Sequence, residues 1–224
     1  MGKLYLVPTP IGNLKDITLR AIETLSQVDL ILAEDTRTTK KLLNHYDIKT
    51  KTKSYHIYNE HKTLNEIINL LTSGNNIALV SDSGFPCISD PGFLLVREVI
   101  REGIDIESLP GASSIIPALT QSGFPTTNFI FEGFLPKKRG RKKKILKLSR
   151  ETRTVILFES PFRLIKLLNE IKDICGIEKN ISISREISKI FEETIRGNVN
   201  ECLSHFENNE PKGEFVICIE GLKN

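Results

Sequence analysis

The loop Ser81-Asp82-Ser83-Gly84-Phe85-Pro86-Cys87-Ile88-Ser89-Asp90-Pro91-Gly92 is the most chemically dense stretch of this 224-residue chain. Asp82 and Asp90 can accept hydrogen bonds from an ammonium group or from ribose hydroxyls, and Ser83 can donate or accept. Gly84 lets backbone come close to a ligand, and Pro86 stiffens the turn around it. The loop follows Ile77-Ala78-Leu79-Val80, an apolar run the length of a fully buried strand. It leads into residues 93–100, whose apolar spacing is helical, with Asp90 expected as the cap and Pro91 at the first helical position. Ligands of open α/β sheets bind at such carboxyl ends of strands. A plain strand-to-helix turn is the alternative, weakened by the number of special residues it has to explain.

Two further polar loops follow candidate strands: residues 8–14, which contain Pro10, and residues 110–114, which contain Gly111, Ser113 and Ser114. Each by itself is equally consistent with a turn. Together the three loops offer hydroxyls, carboxylates and accessible backbone, with Gly84 and Gly111 expected where backbone meets the ligand. That set fits a nucleoside carrying a small zwitterion. No G-x-G occurs, hence no dinucleotide fingerprint, and there is no G-K-[ST] phosphate loop. The four cysteines are scattered with no C-x-x-C pair, which reads as reduced, mostly buried thiols. The four histidines form no metal-ligand spacing, and no metal is expected.

The elements that must position these loops read as alternating strands and helices. Strands are expected at 3–7, 30–33, 54–57, 77–80 and 104–109. Helices are expected from about residue 18, around Leu42 and Leu43, at 63–71 and at 93–100. This alternation predicts an α/β fold with a parallel sheet and helices on both faces. The pattern changes near Gln121-Ser122-Gly123, dividing the chain into an N-terminal α/β domain, 1–120, with the polar loops, and a C-terminal domain, 121–224. The second part shows strands at 129–131, 155–158, 181–184, 191–195 and 215–219, with helices at 141–149, 162–174 and 199–206. Consecutive strands there predict a mixed sheet, hence α+β.

Charge is unevenly placed. Residues 137–150 hold nine basic residues and no acid, leaving 22 basic against 28 acidic residues elsewhere, a net of −6. Lys137, Lys138, Arg139, Arg141, Lys142, Lys143 and Lys144 therefore form the best candidate for contact with nucleic-acid phosphates. A solvated helix face is the alternative. No aromatic interleaves with the run, so base stacking is not indicated there.

The ordered motifs T-P-I-G-N-L, A-E-D-T-R, S-D-S-G-F-P-C-I-S-D-P-G and L-P-G-A-S-S resemble the tetrapyrrole-methylase superfamily of S-adenosylmethionine enzymes. In the second half, F-E-G-F-L-P, E-S-P-F-R, S-R-E-I-S-K and K-G-E are similar to the branch that methylates a cytidine 2′-hydroxyl in small-subunit ribosomal RNA. The resemblance implies the two-domain fold of that superfamily, S-adenosylmethionine as cofactor and a homodimer. It implies a cofactor cleft lined by Pro10, Asp82, Ser83, Gly84, Pro86, Asp90, Gly111, Ser113 and Ser114, with Phe158, Glu159, Arg185 and Glu186 approaching from the second domain. Arg185 and Glu186 are also consistent with a simple ion pair. Arg37, with His56 and His61, is implied in an RNA-facing wall, although the histidines also fit ordinary surface positions.

Methyl transfer from a sulfonium is an in-line displacement governed by positioning, and a base near the hydroxyl helps its proton leave. Glu159 and Glu186 are the carboxylates expected for that role, with a water as the open alternative. The chain departs from the family in two ways. Phe162 replaces the usual histidine of E-S-P-H-R, and the sequence stops just after Gly221, where many members continue into a further helical domain. A tetrapyrrole methylase and a catalytically inactive RNA-binding assembly factor remain as alternative readings. No apolar run reaches membrane-spanning length and no signal peptide opens the chain, so a cytoplasmic protein is expected.

Overall fold

The computed structural model describes residues 1–222, and the chain divides into two compact units, Met1–Ser113 and Ser114–Asn224. The first unit alternates strictly: β1 (Lys3–Leu6), α1 (Leu19–Gln27), β2 (Leu30–Ala33), α2 (Thr36–His45), β3 (Thr52–Ser54), α3 (Glu60–Thr72), β4 (Ile77–Val80), α4 (Phe93–Arg101) and β5 (Asp105–Ser108). All strands pair in parallel in the order β3-β2-β4-β1-β5. Central β4 is buried at every position, as its unbroken apolar run demands. Ala21, Leu25 and Leu43 of α1 and α2 pack on one face of the sheet, and Ile67, Leu71, Leu95 and Val99 of α3 and α4 on the other. A parallel sheet collects the loops after β2, β4, β1 and β5 along one edge, and that edge carries the polar residues.

Two local expectations are corrected here. Asp90 does not cap α4. Gly92 is the N-cap, at φ 130°, and a Cβ there would lie 2.6 Å from the Cys87 sulfur and 2.7 Å from Leu79. Only glycine tolerates that conformation and that crowding together. Strand β3 ends at Ser54, short of the expected 54–57. Tyr55 still donates its N–H to the Ala33 carbonyl at 2.8 Å and buries its ring, after which the chain turns.

The second unit contains α5 (Ile115–Ser122), β6 (Phe129–Phe134), α6 (Arg141–Leu148), β7 (Thr154–Glu159), α7 (Pro161–Cys175), β8 (Asn180–Arg185), β9 (Glu193–Asn198), α8 (Val199–Asn208) and β10 (Phe215–Ile219). Its sheet runs β6-β7-β10-β8-β9, with β6 and β7 parallel and the other pairs antiparallel. This is the mixed sheet that consecutive strands called for. Helix α5 packs against β8 and β10 and so goes with this unit. The expected 120/121 division falls inside that helix. Phe215 stands opposite both Glu159 and Arg185, so the ends of β7 and β8 and the start of β10 share one sheet edge. Pro161 opens α7 at a position whose N–H needs no helical partner, and Asn198 with Glu201 forms a capping box on α8.

Candidate functional site

In the first unit, backbone contacts hold three loops together. Thr9 and Gly84 exchange both N–H···O bonds, at 2.9 and 3.0 Å, which ties the loop after β1 to the loop after β4. The Thr9 hydroxyl donates to the Ser81 carbonyl at 3.1 Å, and the buried Ser81 hydroxyl donates to Gly84 at 3.1 Å. The loop after β5 presses on the first: a Cβ on Gly111 would lie 2.7 Å from the Cβ of Pro8. Gly111 is therefore required by a neighbouring proline, a reason distinct from the ligand approach expected of it. Cys87 and Ser89 sit at φ 70° and 65°, a left-handed conformation that surrounding contacts must impose on non-glycine residues.

Acidic side chains gather on this framework. The Asp82 carboxylate accepts the N–H of Asp35 at 3.0 Å, which joins the loop after β4 to the start of α2. Burial pushes the Asp90 carboxyl up to about 7, with the charges of Glu34 and Asp82 adding to the rise and a hydrogen bond with Ser81 opposing it. Glu34 is raised by burial and by Asp82, against the Asp82 N–H and His56. Asp82, Asp90 and Glu34 thus form an acidic cluster without a direct ion pair among the described residues, suited to a cationic group or to hydroxyl donors. Pro10 and Ser113 are half-buried, Pro86 is buried, and Ser83 and Gly111 are exposed. Ser114 opens the second unit as the N-cap position of α5. Arg37 is exposed but is bonded to Asp35 at 2.7 Å, and this bond holds the Asp35 carboxyl down at about 2.

In the second unit, Glu159 sits at the end of β7 with its carboxylate fully buried. One oxygen meets Nη2 of Arg163 at 2.6 Å and the N–H of Ser160 at 2.9 Å; the other meets Nη2 of Arg141 at 3.3 Å. Both oxygens are committed, so Glu159 anchors two guanidinium groups, and the expected base role does not fit this geometry. Arg141 is only 3% exposed. Its remaining nitrogens reach Glu170 at 2.7 Å and the Pro136 carbonyl at 3.4 Å. A side chain so enclosed cannot meet phosphate, which corrects its expected RNA contact. Lys144 is half-buried against Glu132 and is likewise taken up. Lys137, Lys138, Arg139, Lys142 and Lys143 are exposed.

Glu186 stands at φ 52° just after β8. Burial would raise its carboxyl, but Lys189 at 2.9 Å, the Glu214 N–H and Arg185 outweigh burial and hold it below the ordinary value. A carboxylate held there is a weak base. Arg185 does not pair with Glu186; it donates to the Lys212 carbonyl at 2.7 Å and faces Glu193 at 3.6 Å. Phe158 is half-buried between Phe131 and Phe134, with ring centres 4.9 and 5.5 Å away.

Three residues missing from the sequence reading belong to these sites. Glu34 was visible in A-E-D-T-R as a carboxylate at a strand end. Arg163 was visible in E-S-P-F-R as an i,i+4 partner of Glu159. Thr9 stands in the T-P-I-G-N-L loop, but its role left no sequence signal, because its bonds are to backbone distant in sequence.

Comparisons with known proteins agree with this architecture. A cobalt precorrin-4 methyltransferase superposes with a TM-score of 0.70 over 97% of this chain and 94% of its own, at 20% identity. A uroporphyrin-III C-methyltransferase from Thermus thermophilus, complexed with S-adenosyl homocysteine, gives 0.67 over 97% of both chains at 17% identity. Among curated relatives, the ribosomal RNA small subunit methyltransferase I of Thermotoga maritima is 49% identical over 99% of both chains. The Synechocystis protein of the same name is 48% identical over 99% of this chain and 80% of its own, and that of Mycoplasmopsis pulmonis 46% over 97% of both. The tetrapyrrole (corrin/porphyrin) methylase family matches residues 3–202, and with this fold and these loops the chain belongs to that family.

Proposed function

We propose that the protein is an S-adenosylmethionine-dependent methyltransferase that modifies small-subunit ribosomal RNA, at the 2′-hydroxyl of a cytidine. The observation that carries the reading is near-full-length identity of 46–49% to relatives named as small subunit ribosomal RNA methyltransferases. The site supports it. S-adenosylmethionine, when bound, supplies a methyl group on a positively charged sulfur. Asp82, Asp90 and Glu34 provide acidic groups where a cation gains most, and burial together with its acidic neighbours raises the Asp90 carboxyl, so that a bound cation would favour its ionised form. The interlocked loops around Thr9, Gly84 and Gly111 hold these groups without rearrangement.

Catalysis on this reading is mainly positioning. With Glu159 bound by two arginines and Glu186 held acidic, the hydroxyl proton passes to water. With a ribosomal substrate, the enzyme works in the cytoplasm. The test is incubation of purified protein with methyl-labelled S-adenosylmethionine and small ribosomal subunits, or separately a uroporphyrin-type tetrapyrrole. Label recovered as 2′-O-methylcytidine after nuclease digestion is the expected result. Label in the tetrapyrrole, or in neither, overturns the reading.

A further inference from the structure

Phe162 is 96% exposed at the second position of α7, and its ring takes no part in the core of its unit. Phe134, the last residue of β6, is 52% exposed and lies at the same sheet edge, since β6 runs parallel to β7 with Phe134 opposite Phe158. The guanidinium of Arg163, next to Phe162 in the chain, lies 5.8 Å from the centre of the Phe134 ring. Phe134 and Arg163 thus meet at this edge, and Phe162 extends into solvent from the first turn of α7, which starts at the same edge.

The basic segment begins at this edge. The chain passes from Phe134 through Leu135 and Pro136 directly into Lys137. The buried Arg141 side chain then binds the Pro136 carbonyl, Glu159 and Glu170. Because Glu159 also holds Arg163, one carboxylate links the basic segment to the turn that presents Phe162. Lys137, Lys138, Arg139, Lys142 and Lys143 are exposed, and none makes an ion pair among the described residues. In sequence the run has no aromatic partner; the fold supplies two.

We propose that Phe162, Phe134 and these unpaired cations form a platform for single-stranded RNA, with an unstacked base on the aromatic rings and flanking phosphates on the cations. The proposal rests on the RNA substrate reading and adds the form of RNA recognised. Exposed aromatic rings beside backbone-binding cations are what single-strand recognition requires, because a base paired in a duplex has no free face to offer. Surplus positive charge selects a polyanion.

Binding is measured by fluorescence anisotropy with a labelled single-stranded oligoribonucleotide and with an abasic strand of equal length. Phe162→Ala is expected to weaken binding of the normal strand by roughly five- to a hundredfold, the range of one lost stacking contact. Abasic binding and the salt slope stay unchanged. Phe162→Trp restores affinity and Phe162→Leu does not. Lys142→Ala with Lys143→Ala behaves oppositely, lowering the slope by about 0.7 per lost contact for both strands. Equal affinity of wild type and Phe162→Ala for the normal strand, or rescue by leucine, overturns the platform. So does sedimentation in which Phe162→Ala dissociates a dimer while RNA binding is unaltered, because the ring then serves self-association. Methyl transfer to small subunits is followed in parallel. Product formed without dependence on Phe162 retires the platform alone, whereas no product retires the substrate reading.

Discussion

Carboxylates stand at strand ends in both units, yet their electrostatic settings are opposite. In the loops after β2 and β4, Glu34, Asp82 and Asp90 act on one another with no ion pair between Asp82, Asp90 or Glu34 and a basic side chain among the described residues, and burial, reinforced by Glu34 and Asp82, pushes Asp90 up to about 7. At the end of β7, Glu159 is more deeply buried but meets two guanidinium groups and a backbone N–H. The first arrangement leaves charge for a ligand to neutralise. The second neutralises itself and spends its charge on holding Arg141 and Arg163 in place. All four are carboxylates on the carboxyl side of a strand, Glu159 as the last residue of β7 and the others in the loops after β2 and β4, and counter-ion supply separates the binding site from the anchor.

The largest effect should come from breaking the anchor. Glu159→Gln keeps the shape but leaves the buried Arg141 short of a counter-charge, and the expected cost is about 3 kcal/mol in denaturant unfolding. A variant with wild-type stability that cannot transfer methyl would return Glu159 to the chemistry and erase the contrast. Next is the loop framework of the first unit. Gly111→Val drives a side chain into Pro8 and should lower stability by about 1–3 kcal/mol, with cofactor affinity falling alongside. Should thermal unfolding stay unchanged while titration calorimetry finds no cofactor binding, ligand approach would be the reason for the glycine after all.

The smallest and most diagnostic effect concerns Asp90. Its folded value of about 7 lies above the ordinary 3.8, so folding takes up a proton between those limits. Stability of the free protein should therefore be greatest below about pH 4 on this account and decline as pH rises toward 7. A bound cation favours the ionised carboxyl and releases the proton. Cofactor affinity should then rise with pH, by up to about tenfold per unit below pH 7, and level off above it. Asp90→Asn should flatten both dependences. A flat affinity profile in the wild-type protein would show that Asp90 does not face the cation.

Strand β4, the polar loops and the order of the motifs were all legible in the sequence, because a buried parallel strand needs an unbroken apolar run and the loops after it need glycine and proline. The mixed second sheet was legible for the same kind of reason, since its strands follow one another without helices between. Arg141 was not legible. Within K-K-R-G-R-K-K-K it is one cation among seven, and only the fold of α6 against β7 and α7 turns it inward to meet Glu159 and Glu170. That residue 92, the cap of α4, has to be glycine was not legible either, because the Cys87 and Leu79 side chains close on it only in the folded loop.

Sequence by itself determined the family, the alternation of elements and the edge on which polar groups collect, since these follow from local periodicity and motif order. Tertiary structure alone decided which charges stay available. Burial and the nearness of an opposite charge depend on residues far apart in the chain: Glu34 beside Asp90 leaves an acidic site open, and Arg141 beside Glu159 closes one.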